Sequence, residues 1–173
     1  QKVCLVWREL PMPVVSVLHG HCLGAGLQLA LATDIRIATA DCQFAIMEAK
    51  WGLVADMGLT QSAMGVLRAD IVKELAMTAR IFDGQQAFDY GVVSHLSDTP
   101  MEVAKNLVAE LSNRSPDAIL ASKRITNAMY HTPATTLYQE KLWQIKLLLG
   151  QNRKLAVKKA KDETVKFIGR QFN

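Results

Sequence analysis

A chain of 173 residues, half of them apolar, is long enough for one domain with a real core, and no stretch approaches the roughly 20 uninterrupted apolar residues of a membrane span. Its three cysteines, Cys4, Cys22 and Cys42, are odd in number and lack metal-ligand spacing, which argues for free thiols in a reducing compartment rather than a disulfide framework. The net charge of +4 is uneven: residues 1–140 hold 11 basic and 14 acidic side chains, residues 141–173 hold 9 and 2.

The chain opens on Val3 to Trp7, which reads as part of a helix leading to Leu10-Pro11. Val14–Leu18, β-branched and bounded by proline and glycine, predicts a buried strand. Helix formers at Ala25–Ala32 predict a helix; Ile35–Ala38 and Gln43–Ile46 predict short strands. Leu59–Leu67 reads as a helix after the Asp56-Met57-Gly58 turn, and Asp70–Thr78 as another with Asp70 as its N-cap. Gln85–Asp89 predicts a short helix ended by Gly91, and Val92–His95 a strand. Strands alternating with helices argue for parallel βαβ units. From Pro100 onward the pattern is helical throughout. Met101 to Leu111, Ile119 to Met129 and Leu137 to Leu149 form apolar stripes, with Pro116 and Pro133 at the boundaries.

Gly24-Ala25-Gly26 sits where the Val14–Leu18 strand hands over to a helix. A helix starting there directs free N–H groups and a positive dipole end at whatever lies above the turn, which suits a phosphate or a developing oxyanion. It is not a dinucleotide fingerprint, because the position three after Gly26 is Leu29, and no Walker pattern is present. A tight-packing turn is the competing interpretation. His19 and His21 flank Gly20 beside Cys22, but no carboxylate or second cysteine stands at ligand spacing, so no metal site is expected.

The order of these pieces carries more than any one of them. Pro13-Val14-Val15, His19-Gly20, Gly24-Ala25-Gly26, Thr33-Asp34-Ile35-Arg36-Ile37-Ala38, Phe44 leading to Glu48, and Gly52 to Gly58 follow one another in a set that resembles the crotonase superfamily, the enoyl-CoA hydratase/isomerase family. The segments from Glu74 to Leu96 and from Ser115 to Asn127 resemble later parts of the same family pattern, so the resemblance covers nearly the whole chain. It implies an α/β fold of the ClpP/crotonase type, with ββα-type units and a helical C-terminal region. Residues 1–99 would form the C-terminal half of the α/β core and 100–173 a trimerisation and lid region. It also implies a further N-terminal half before Gln1 that supplies a second oxyanion N–H and part of the coenzyme A surface.

For chemistry, the resemblance implies an acyl-CoA thioester as substrate, with no cofactor beyond the coenzyme A it carries, in reactions of the fatty-acid β-oxidation type. Ala25, between Gly24 and Gly26, matches the position that offers an N–H to the thioester oxygen. Glu48 matches the proton-transferring acid/base. Gln28 replaces the second glutamate of typical hydratases; it can hold a water but cannot exchange its proton. Asp56 resembles an aspartate of the dienoyl-CoA isomerases, placed opposite the glutamate; a helix cap or turn former is the alternative. Isomerisation is therefore expected over hydration, and a non-catalytic protein binding coenzyme A esters or a partner is the reading from another class. The family also implies a homotrimer or hexamer, and a bacterial-type cytoplasmic location is expected. The basic C-terminal run fits an exposed face or coenzyme A phosphates; with no aromatic platform or nucleic-acid motif, nucleic acid is not expected.

Overall fold

The computed structural model describes residues 1–129 and 133–172, except for the side chains of residues 133–137, 139 and 140. Its residues divide into two units: Gln1–Leu10 with Val14–Asn106, and Pro11–Pro13 with Leu107–Asn173.

In the first unit, helix α1 (Lys2–Glu9) buries Cys4, and Arg8 donates to the Gln61 carbonyl. Strand β1 (Val15–Leu18) pairs in parallel with β3 (Ile35–Ala38), Val15 opposite Ile35 and Leu18 opposite Ala38; β3 in turn pairs in parallel with β5 (His95–Leu96). A second parallel sheet joins β2 (His21–Leu23) to β4 (Gln43–Ala45), Cys22 opposite Phe44. Helix α2 (Ala25–Leu31) follows β2. Leu27, Leu31, Phe44 and Phe82 are buried in one core, and the Phe44 and Phe82 rings stack at 5.7 Å. The parallel pairing matches the βαβ expectation.

Several sequence expectations shift. The strand feeding the Gly24 turn is β2, in its own sheet, rather than Val14–Leu18, because the chain turns at Gly20 (φ +67°) and starts a new ladder. The helix expected over Leu59–Leu67 is α3 (Leu59–Ala63); Gly65 adopts φ +80° just beyond it, outside right-handed helical space. Helix α4 (Ala69–Thr78) has Arg68 at its N-cap; Asp70 lies inside the first turn and pairs with Arg68 at 2.5 Å, so it is not the cap. The strand expected over Val92–His95 is only β5: Val92 and Val93 are buried in a turn, and the Val92 carbonyl accepts from the buried Arg36 Nε at 2.6 Å. Their β-branched apolar character marks burial rather than a ladder. Helix α5 (Gly84–Asp89) has a capping box between Asp83 and Gln86, and a Cβ at Gly84 would stand 2.3 Å from the Thr39 carbonyl oxygen, so only glycine fits.

Helix α6 (Pro100–Ser112) runs across the division between the units. The second unit continues with α7 (Pro116–Asn127), capped by Ser115, then α8 (Pro133–Leu149) and α9 (Gln151–Lys159). Both prolines open helices, where their missing N–H costs nothing. Leu120, Ala121 and Trp143 form this unit's core, with Ile125, Leu147 and Phe172 packed on it. The side chain of Leu137, the head of the third apolar stripe, lies outside the described residues. The expectation of helix to the end fails after α9. Residues 160–172 form turns and irregular chain, with Asp162 Oδ1 accepting from the Thr164 N–H at 3.0 Å in a local turn. Among the described residues no helix is long and apolar enough to cross a membrane.

Candidate active site

The site is built where β2 and β4 end side by side. The Gly24 N–H donates to the Ala45 carbonyl at 2.8 Å, which extends the ladder by one step. Gly24 then takes φ +53°, ψ −120°, a conformation that an L side chain resists, and releases the chain into α2. The first N–H groups of any helix lack an intrahelical acceptor, and Ala25 and Gly26 present theirs from exposed positions.

Past β4, Ile46 is buried and the chain rolls into a 3-10 turn, Glu48–Trp51. Glu48 opens that turn, three residues beyond the strand rather than on it. Its carboxylate returns to the start of α2: a Cβ built on Gly24 would lie 3.5 Å from Glu48 Oε1. Oε1 accepts a hydrogen bond from Gln28 Nε2 at 2.7 Å. Oε2 is buried with no hydrogen-bond partner among the described residues. Gln28, one turn into α2 and 1% exposed, also accepts the Met57 N–H on its Oε1 at 2.9 Å.

Asp56 precedes Met57 in an irregular segment and is exposed. It does not cap α3: the N-cap is Gly58, at φ +94°, with no side-chain cap bond. Asp56 is thus linked to Glu48 through the adjacent Met57 N–H and the Gln28 amide. Between Glu48 and Asp56 in sequence, Trp51, Leu53 and Val54 are strongly exposed, Val54 at 78%. Lys50 Nζ lies 5.6 Å from the Trp51 ring centre.

On β2 and just before β4, burial pushes the Cys22 thiol up to about 12 and that of Cys42 up to about 11. Both stay protonated at neutral pH, which removes them as nucleophiles. Among the described residues no three His, Cys, Asp or Glu side chains group as a metal site.

Residues 2–161 match the enoyl-CoA hydratase/isomerase family. The chain belongs to that family. It is 35% identical over 159 residues to the mitochondrial Delta(3,5)-Delta(2,4)-dienoyl-CoA isomerase of Mus musculus, covering 88% of this chain and 48% of that protein. It is 34% identical over 133 residues to the carnitinyl-CoA dehydratase of Citrobacter koseri, covering 76% of this chain and 51% of that one. The crystal structure of an enoyl-CoA hydratase from Mycobacterium tuberculosis superposes with a TM-score of 0.85 at 26% identity, over 93% of this chain and 65% of the other. The chain thus spans about half the length of the curated relatives it matches, and it has the crotonase fold expected from its sequence.

Gly24, Gln28 and Glu48 come together here, Ala25 follows Gly24 at the start of α2, and Asp56 stands one residue from the Met57 N–H that meets Gln28. Sequence reasoning missed the Met57 N–H. A backbone donor 29 positions from its acceptor leaves no signature in residue type.

Proposed function

We propose that this chain is part of an enzyme that relocates double bonds in acyl-CoA thioesters. The Ala25 N–H would polarise the thioester oxygen and stabilise the enolate formed from it. Glu48 would take a proton from one carbon of the acyl chain, and Asp56 would return one at another; exchange with solvent restores both carboxyls. The exposed Trp51, Leu53 and Val54, in the segment that joins these two acids, would offer apolar surface to an acyl chain.

The observation that carries this reading is Glu48: one oxygen held at 2.7 Å, the other buried and unpaired. An unmatched buried carboxylate oxygen is costly, and sites that retain one commonly use it. Gln28 favours isomerisation over hydration, because its amide cannot take the proton of an added water. The likeness to a dienoyl-CoA isomerase supports the same choice. Self-association as a homotrimer or hexamer belongs to this reading: on α8, Ile145 and Leu149 stand exposed, Leu149 at 79%, beside the half-buried Leu142. Light scattering showing a stable monomer would remove that part.

The test is to incubate the protein with crotonyl-CoA and, separately, with 3-enoyl- and 3,5-dienoyl-CoA, following ultraviolet absorbance. Double-bond migration faster than hydration is expected. Fast hydration of crotonyl-CoA without migration in the others would make it a hydratase; binding without turnover of any substrate would leave a non-catalytic protein.

A further inference from the structure

Gln28 is 1% exposed, and both ends of its carboxamide are engaged. Burying an amide is unfavourable unless it is hydrogen-bonded, so these two bonds decide how it sits. The Met57 N–H can only donate, which assigns the amide oxygen to it at 2.9 Å. The amide nitrogen is thereby turned to Glu48 Oε1 at 2.7 Å, and a carboxylate can only accept. Flipping the amide would set donor against donor at Met57 and acceptor against acceptor at Glu48. The two oxygens of Glu48, equivalent in a free carboxylate, are therefore made different.

We propose that Gln28 is a positioning residue for Glu48: it fixes Oε1 as the held oxygen, leaves Oε2 as the oxygen that exchanges the proton, and ties the carboxylate to the backbone beside Asp56. The proposal rests on the reading of Glu48 as the acid/base. It gives Gln28 a role other than holding a water. An acid at this position would behave differently, because its oxygen would meet Oε1 at hydrogen-bond distance, where the two must share a proton and titrate together. Other charged groups near Glu48 in the chain or on the packed α4 are exposed: Lys50, Lys73, Asp70, which pairs with Arg68 at 2.5 Å, and Glu74, which pairs with Arg80 at 2.8 Å.

The test uses Gln28→Glu, Gln28→Met and Glu48→Gln in the complete protein. Carboxyl carbon NMR of labelled glutamate, with Glu48 assigned by its absence in Glu48→Gln, follows titration without any substrate. In Gln28→Glu the pair should titrate in two steps, the upper one about one pH unit or more above the single step of Glu48 in the unmodified protein. The acid limb of the rate profile should move by the same amount. In Gln28→Met, kcat for double-bond migration should fall ~10-fold or more with KM within about two-fold, because the base is misoriented and binding is not. An unmoved Glu48 titration in Gln28→Glu overturns the proposal. If that variant does not fold, an unchanged kcat in Gln28→Met overturns it instead. Should Glu48→Gln lose activity while both Gln28 variants match the unmodified protein, the acid/base reading stands and the positioning role falls. A fully active Glu48→Gln overturns both.

Discussion

Each unit of this chain buries a carboxylate against a carboxamide at the same 2.7 Å, and the two pairs end differently. In the second unit, Asn152 Nδ2 donates to Asp117 Oδ2, while the N–H groups of Gln171 and Phe172 donate to Oδ1 at 2.7 and 3.3 Å. Asn152 Oδ1 also accepts from the Ile168 N–H at 3.1 Å, and Gln171 Oε1 accepts from the Gln151 N–H at 2.7 Å at the start of α9. Both oxygens of Asp117 are satisfied, and the result is a lock that holds the C-terminal segment to α7 and α9. In the first unit, Gln28 satisfies one oxygen of Glu48 and leaves the other buried and unpaired. The same pairing closes on itself in one unit and leaves one carboxylate oxygen without a partner in the other.

Substitution separates the two pairs most sharply. Glu48→Gln should lower double-bond migration ~100-fold or more while the thermal midpoint changes little, since the amide can still meet a rearranged Gln28. A large loss of stability with the loss of rate would make Glu48 a second lock. Asn152→Leu should do the reverse. It leaves the Asp117 carboxylate short of a donor and should cost about 2 kcal/mol in urea unfolding. Stability within a few tenths of the unmodified protein would show that the tail N–H groups of Gln171 and Phe172 hold Asp117 without Asn152.

The position of the candidate residues along the chain was legible from residue type and from the family resemblance: Gly24 suits an unusual backbone conformation, Ala25 a helix start, and Glu48 is the carboxyl that the resemblance implies. The helices α6 to α8 were legible from their prolines and apolar stripes. What stayed hidden depends on contacts between distant backbone atoms. The Met57 N–H orients Gln28 from 29 positions away, and Asn152 meets Asp117 across 35. Val92 and Val93 misled because β-branching reports burial, and a buried turn stabilised by Arg36 uses the same residues as a strand. The Asp83 and Gln86 capping box has a three-residue spacing that sequence alone can carry.

Two smaller effects refine the comparison. Asp56→Asn should slow double-bond migration by ~10-fold with KM nearly unchanged, if the exposed acid returns a proton. A change confined to thermal stability would leave Glu48 to carry the proton alone. Asp83→Ala lies outside both pairs and should cost about 1 kcal/mol through its lost cap with no change in rate profile. A shift in that profile would mean that the first unit transmits strain to Glu48.

The most direct measurement of Glu48's role is isotope exchange. The protein and its Glu48→Gln variant are incubated with 3,5-dienoyl-CoA in heavy water, and deuterium in the acyl chain is followed by mass spectrometry. The unmodified protein should incorporate deuterium as the double bonds move, and the variant should do so ~100-fold more slowly. Equal incorporation by both would contradict the assignment of the proton to Glu48.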